Sequence, residues 1–174
     1  MKLGAILIGG VILVGGALFA GSRAGAFERE IATGVEIEGS PDQVWKELAD
    51  FESYDEWNPF IPSAKGRISE GEKLEVRIAP PGSGGMTFKP EALVAEPDRE
   101  LRWLGRLLLP GVFDGEHYFL MESAGSGRTR FVQGEKFNGL LVPFLWKSLD
   151  ADTRHGFEEM NRALKQRVEG GERN

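Results

Sequence analysis

The sequence contains no cysteine, which excludes a disulfide framework, a thiolate zinc site and a cysteine nucleophile. Histidine is scarce as well, since His117 and His155 are the only two, and this leaves little for a histidine-rich metal site. Basic residues are outnumbered, with 21 against 27 acidic residues, and the net charge is -6. Phosphate contacts need positive charge, so this balance argues against nucleic acid as a partner. We therefore expect no metal, no cofactor and no nucleic-acid partner.

Charge is missing altogether from residues 3–20, an apolar run of 18 residues. This length is about the minimum for an α-helix that spans a bilayer. Lys2 precedes the run and Arg23 follows it, and its paired glycines would weaken a helix of a soluble core. We expect residues 3–20 to be a single-pass N-terminal membrane anchor and residues 1–26 to comprise the anchor and a short linker. Residues 24–26 (AGA) keep a cleaved signal peptide open as the alternative. The flanking charges favour neither side of the membrane for the rest of the chain.

Residues 27–174 have the composition of one acidic globular domain. They contain 19 basic and 27 acidic residues, a net charge of -8, over a length of 148 residues. That length is sufficient to bury a sizeable core. The whole chain is 41% apolar and 28% charged, which is typical of a folded protein rather than a disordered one.

The order of patterns in this domain predicts an α+β fold. Residues 29–39 resemble a strand, residues 40–43 (SPDQ) are typical of a helix start, and a second short helix is expected near residues 52–57. Further strands are predicted at residues 74–78, 87–96, 100–106, 113–123 and 128–138. Apolar residues spaced by three or four then predict a long C-terminal helix, through Trp146, Leu149, Thr153, Phe157, Met160, Leu164 and Val168. Such a helix must lie on the concave face of a curved antiparallel sheet, around an internal space.

The hairpin of the last two predicted strands brings polar side chains into an apolar wall. If residue 123 pairs with residue 129, His117 lies opposite Glu135, and Phe119 lies opposite Gln133. Three interpretations of the His–Glu pair remain open. It is a polar anchor for a ligand, an acid–base pair, or a structural pair that fixes the register.

Two stretches of the sequence resemble a known superfamily. One is the Y-x-x-W-N-P-F segment at residues 54–60, and the other runs from residue 101 to residue 119 (LRWLGR, then PGVFDGEHYF). They resemble the SRPBCC superfamily of START-related lipid-transfer, pollen-allergen-like and polyketide cyclase proteins, and in particular its polyketide cyclase/dehydrase and lipid-transport branch. The resemblance covers about residues 30–168. It implies a helix-grip fold, in which a curved antiparallel sheet of about seven strands surrounds the long C-terminal helix and a deep apolar cavity, with two short helices.

The resemblance also implies which residues lie near that cavity. Trp57 belongs to the turn at the cavity mouth, with ordinary packing as the alternative, and Trp103 belongs to a strand that faces the cavity. His117 and Glu135 are the candidate catalytic pair. Together with the inward faces of the hairpin and helix, the candidate ligand-binding residues are Trp57, Trp103, His117, Phe119, Met121, Phe131, Gln133, Glu135 and Phe157.

Three functions fit these expectations. We favour a membrane-tethered protein that binds or transports a lipid or other hydrophobic small molecule in an internal cavity. The second is a polyketide cyclase/dehydratase-like enzyme that uses the same cavity, with His117 and Glu135 as acid and base. The third is a protein-interaction module of the chaperone-activator type, which would need a large apolar patch on the outside of the sheet.

Overall fold

The computed structural model of the chain describes residues 27–80 and 84–171. The predicted anchor at residues 3–20 lies outside the described residues, and so do residues 81–83 of a glycine-rich loop. Among the residues that are described, no helix is both long and apolar enough to cross a membrane.

The described part of the chain has the predicted order of elements: one strand, two short helices, seven further strands and one long helix. The helices are α1 (Pro41–Ala49), α2 (Tyr54–Trp57) and α3 (Val142–Gly171), with a 3-10 turn at Phe51–Ser53. The first four strands are β1 (Arg29–Glu38), β2 (Ser63–Lys65), β3 (Glu75–Ile78) and β4 (Met86–Phe88). The remaining strands are β5 (Glu91–Glu96), β6 (Glu100–Leu107), β7 (Phe113–Gly125) and β8 (Arg128–Asn138).

The strands form two antiparallel sheets, whereas the family resemblance implied one sheet of about seven strands. The large sheet has five strands in the order β1-β8-β7-β6-β5, and the small sheet has three in the order β2-β3-β4. The predicted strand at residues 87–96 is divided between them, because Phe88 pairs with Val76 whereas Ala92 pairs with Trp103. Pro90 lies between β4 and β5, and it has no backbone N–H to continue a ladder.

Local sequence explains the two short helices. The Gln43 side chain accepts a hydrogen bond from the Ser40 N–H (2.7 Å), which confirms the predicted start of α1. After α2, the Asn58 N–H donates to the Tyr54 carbonyl (2.9 Å), and the Asn58 side-chain oxygen accepts from the Ile61 N–H (2.8 Å). The chain therefore leaves α2 in a turn held by Asn58, directly before Pro59, as the sequence predicts.

The core lies between α3 and the concave face of the large sheet. The helix buries the predicted stripe, with Phe157, Met160 and Leu164 fully buried. The sheet contributes Phe119 and Phe131, which are stacked with ring centroids 5.9 Å apart. The long helix and the curved sheet thus pack as the periodicity predicted, and His155 is exposed beside the stripe.

The outer face of the large sheet is polar. Tyr118 lies across Gly134, where an added Cβ would come within 2.2 Å of the tyrosine ring. The Tyr118 hydroxyl donates to Glu30 Oε1 (2.7 Å), and the Arg102 guanidinium lies 5.4 Å from the ring centroid. Arg102 in turn bonds Glu116 at 2.5 Å. These contacts link β1, β8, β7 and β6 across the side that faces away from α3.

We expect both tyrosines to resist ionisation in the folded protein. Burial, and then the charge of Asp50, raise the pKa of Tyr54, while burial and the bond to Glu30 raise the pKa of Tyr118. An unfolded tyrosine titrates near pH 10. Stability from these groups is therefore present below about pH 10 and is lost as the pH rises above it, because the unfolded state ionises first. Phenolate absorbance should thus appear together with loss of the far-UV circular dichroism signal; phenolate formation at about pH 10 in the folded chain would contradict this.

Candidate functional site

A cavity of about 410 Å³ lies between the two sheets and the first half of α3. Its walls are mainly apolar. The small sheet contributes Ile78, Met86 and Phe88, the large sheet contributes Trp103, Phe113 and Phe137, and α3 contributes Leu145 and Leu149. Pockets for small organic molecules are commonly apolar and of roughly 300–1,000 Å³, so this cavity has the size and lining of a ligand site.

The cavity includes three of the residues that the sequence singled out for ligand binding. Trp103, His117 and Glu135 line it. The other candidates lie outside this lining. Trp57 is half-buried against Tyr54, and the rest belong to the core beside the cavity: Phe119, Met121, Phe131, Gln133 and Phe157. Ligand contact by these six side chains stays a prediction.

Several lining residues were missed by the sequence analysis. The small sheet supplies Ile78, Met86 and Phe88, and the start of α3 supplies Leu145. The alternation of Leu74, Val76 and Ile78 marked one face of a strand, but it could not show that this strand belongs to a separate sheet. Met86 and Leu145 were missed because hydrophobic periodicity does not distinguish an exposed apolar side chain at a cavity from a buried one.

The predicted pairing of the β7–β8 hairpin is confirmed. Ser123 pairs with Thr129, and His117 with Glu135. His117 Nδ1 lies 3.5 Å from Glu135 Oε2, and His117 Nε2 lies 3.2 Å from the Gln133 amide nitrogen. With that amide donating, a neutral His117 carries its proton on Nδ1, facing Glu135. The 3.5 Å separation is at the long end for a hydrogen bond, so the Glu135 carboxylate retains capacity for a donor on a ligand.

Aromatic rings hold His117 at the inner end of the cavity. The imidazole is stacked on Trp103 with ring centroids 5.2 Å apart and planes inclined by 14°. The Phe119 centroid is 4.6 Å away, and Phe157 presents an edge at 5.1 Å. The His117 side chain is only 6% exposed, whereas the Glu135 side chain is 20% exposed. The histidine is therefore fixed by packing, and the glutamate is the more exposed member of a pair that lines the cavity.

Two glycines make room for the Glu135 carboxylate. Gly105 of β6 and Gly115 of β7 are paired across the sheet, and both line the cavity. A Cβ on Gly115 would lie 2.3 Å from Glu135 Oε1, so any side chain there would displace the carboxylate. A Cβ on Gly105 would meet nothing closer than the Gly115 carbonyl at 3.9 Å. The glycine pair thus leaves a shallow niche of bare backbone beside the carboxylate.

The charged groups around the cavity are mainly acidic. Glu135 and Asp152 line it together with one cation, Arg106, which lies 3.8 Å from the carboxylate of Asp114. No group of three or more His, Asp or Glu side chains placed to hold a metal ion occurs within residues 27–80 and 84–171. The chemistry that this arrangement supports is an apolar enclosure with one carboxylate and one imidazole at its inner end.

Comparison with known protein families gives one match to a family model. The model is described as polyketide cyclase/dehydrase and lipid transport, and it matches residues 28–169. No curated protein sequence matches the chain significantly.

Comparison with solved structures gives the same fold with distant sequences. The Zhui aromatase/cyclase from a Streptomyces species is 17% identical, with a TM-score of 0.69 over 84% of this chain and 96% of that one. A START superfamily protein from Mycobacterium smegmatis is 22% identical, with a TM-score of 0.62 over 81% and 97%. Norcoclaurine synthase from Thalictrum flavum, in complex with dopamine and hydroxybenzaldehyde, is 12% identical, with a TM-score of 0.63 over 82% and 87%. At these identities the likeness is one of fold.

Proposed function

Because the chain belongs to the polyketide cyclase/dehydrase and lipid-transport family, with the SRPBCC fold that encloses hydrophobic ligands, we propose that it binds a lipid or other hydrophobic small molecule while tethered to a membrane through residues 3–20. The observation that carries this proposal is the apolar cavity of about 410 Å³, which reaches the surface beside exposed side chains such as Met86. Binding needs no catalytic residue. Burial of roughly 300 Å² of apolar ligand surface would contribute about 7 kcal/mol before the costs of ordering.

A cyclase/dehydratase-like activity is the second candidate. The observation that favours it is the cross-strand pair, in which the imidazole of His117 and the carboxylate of Glu135 both reach the cavity 3.5 Å apart. A pair of this kind is able to move a proton to or from a bound substrate. Chemical conversion of the ligand that co-purifies with the chain would favour this candidate over plain binding.

A protein-interaction module is the least supported candidate. It would need a large apolar patch on the outside of the large sheet. In the described residues that face carries the polar network of Glu30, Tyr118, Arg102 and Glu116 instead.

The cavity is tested by filling it. Gly105→Leu places an apolar side chain in the open space beside Gly115. We expect affinity for an uncharged fluorescent fatty-alcohol probe and for co-purified ligand to fall at least about tenfold, because less volume is left for the ligand. Probe titration and native mass spectrometry of the full chain measure both effects. Ser123→Leu adds the same side chain at an exposed position near the opposite end of β7 and should leave affinity unchanged. Equal affinity in the Gly105 variant and the parent would refute binding in this cavity.

A further inference from the structure

The exposed large hydrophobic side chains of the described residues are gathered at one place. Two uncharged segments, residues 107–113 (LLLPGVF) and 139–146 (GLLVPFLW), contain six of the seven. We call these six the apolar rim: Leu107, Leu108, Leu109, Leu141, Phe144 and Leu145. The seventh is Met86, which lines the cavity.

The apolar rim adjoins the cavity. Leu107 and Leu145 belong both to the rim and to the cavity lining. Backbone hydrogen bonds hold the two segments together, from the Leu140 N–H to the Gly111 carbonyl and from the Leu141 N–H to the Val112 carbonyl, each 3.1 Å. The rim is therefore one continuous surface at the cavity mouth rather than a scatter of single exposed residues, which would need no explanation.

The rim side chains are not explained by packing within the domain. Leu108 is 77% exposed, and its backbone has a φ of 69°, in the left-handed region that disfavours a branched residue. Phe144 is 84% exposed although it lies on α3. In the isolated domain, Leu108 has an unfavourable backbone conformation without compensating burial. Both features are accounted for if something apolar covers this surface.

The path of the chain indicates what covers it. The first residue of β1, Arg29, pairs with Phe137 near the end of β8, and the last residue of β6, Leu107, pairs with Phe113. Residue 27 therefore lies at the same end of the large sheet as the rim. Only residues 21–26 separate it from the apolar run at residues 3–20, a distance of at most about 25 Å when fully extended. A segment long enough to enter a bilayer is thus tied to the end of the domain that carries the rim.

We propose that the apolar rim docks the cavity mouth onto the surface of a lipid bilayer. Its leucines and phenylalanine insert at the boundary between headgroups and acyl chains, where neither of the two segments has a charge to bury. The inference deepens the proposed function, on which it rests, by naming the membrane as the partner of the same cavity. A hydrophobic ligand then passes between bilayer and cavity without crossing water.

The absence of cysteine allows a direct test in the full chain. A single environment-sensitive fluorophore is attached to Leu109→Cys or Leu141→Cys, and the protein is mixed with phosphatidylcholine vesicles whose acyl chains carry bromine. We expect a blue shift and quenching by the brominated lipid at both positions. The matched control is Ser126→Cys, in the β7–β8 turn at the far end of the sheet, where we expect neither change.

A second variant tests the rim side chains themselves. Leu108→Ser with Phe144→Ser removes two exposed apolar groups that do not line the cavity, so we expect the docked fraction reported at Leu141→Cys to fall at least about tenfold. Unquenched reporters at both rim positions overturn the proposal, whether or not the chain is recovered with the vesicles. A blue shift without quenching also overturns it, because a protein segment or a second copy then covers the rim.

Binding of the uncharged fatty-alcohol probe is measured in the same samples to separate the two proposals. Quenching at the rim with no probe bound in the cavity would contradict the proposed function and still support membrane docking. Binding of the probe without quenching of the rim fluorophores would contradict membrane docking alone.

Discussion

Phe157→Ala is expected to lower the free energy of unfolding by about 3–5 kcal/mol, which corresponds to a fall of roughly 6–20 °C in the melting temperature of a domain of this size. Phe157 is fully buried on the sheet side of α3, with the Phe60 ring at 5.3 Å and the His117 ring at 5.1 Å. Its loss removes apolar burial and leaves a void between helix and sheet that the surrounding rings cannot fill. Urea and thermal unfolding followed by circular dichroism measure the effect.

The same helix offers the matched control. Phe144→Ala is the identical chemical change, but this side chain is 84% exposed, so we expect a change within about 0.5 kcal/mol. Comparable losses in the two variants would mean that Phe144 is packed and that the rim is not a free surface. A small effect at Phe157 would mean that the helix does not rest on the sheet through this ring.

The parts of the fold that followed from the sequence are those fixed by local periodicity. The apolar residues from Trp146 to Val168 are spaced by three or four, which predicts a helix with one apolar face. The structure packs that face against the sheet. The register of the β7–β8 hairpin was predictable because its short turn and its alternation of apolar residues both indicate the same pairing of residues. That register alone placed His117 opposite Glu135.

The separate small sheet was not predictable in this way. Which strand pairs with which depends on contacts distant in sequence, and the run from residue 87 to residue 96 reads as one strand although it serves two sheets. The same limit applies to the site. Periodicity could place Phe119 and Phe131 on the inward face beneath the long helix, but it could not show that the open space lies further along the sheet, beside Gly105 and Gly115.

The role of Glu135 is decided by a change of charge at constant size. Its carboxylate lines the cavity beside the apolar walls, so we expect the cavity to bind a long-chain primary amine more tightly than the carboxylate of equal length. Glu135→Gln should weaken amine binding roughly 10- to 100-fold, the value of a hydrogen bond to a charged group, and strengthen carboxylate binding. Calorimetric titration of both amphiphiles measures the pair of shifts.

The control for this change is Glu122→Gln, which alters the net charge equally at an exposed position near the far end of β7. Equal changes of affinity in the two variants would mean that only the net charge of the protein matters, and Glu135 would not be a ligand anchor. Unchanged affinities together with a loss of stability only in Glu135→Gln would identify the pair with His117 as a structural device that fixes the hairpin register. A selective loss of amine binding, with stability retained, is the result that makes Glu135 the polar anchor of an otherwise apolar site.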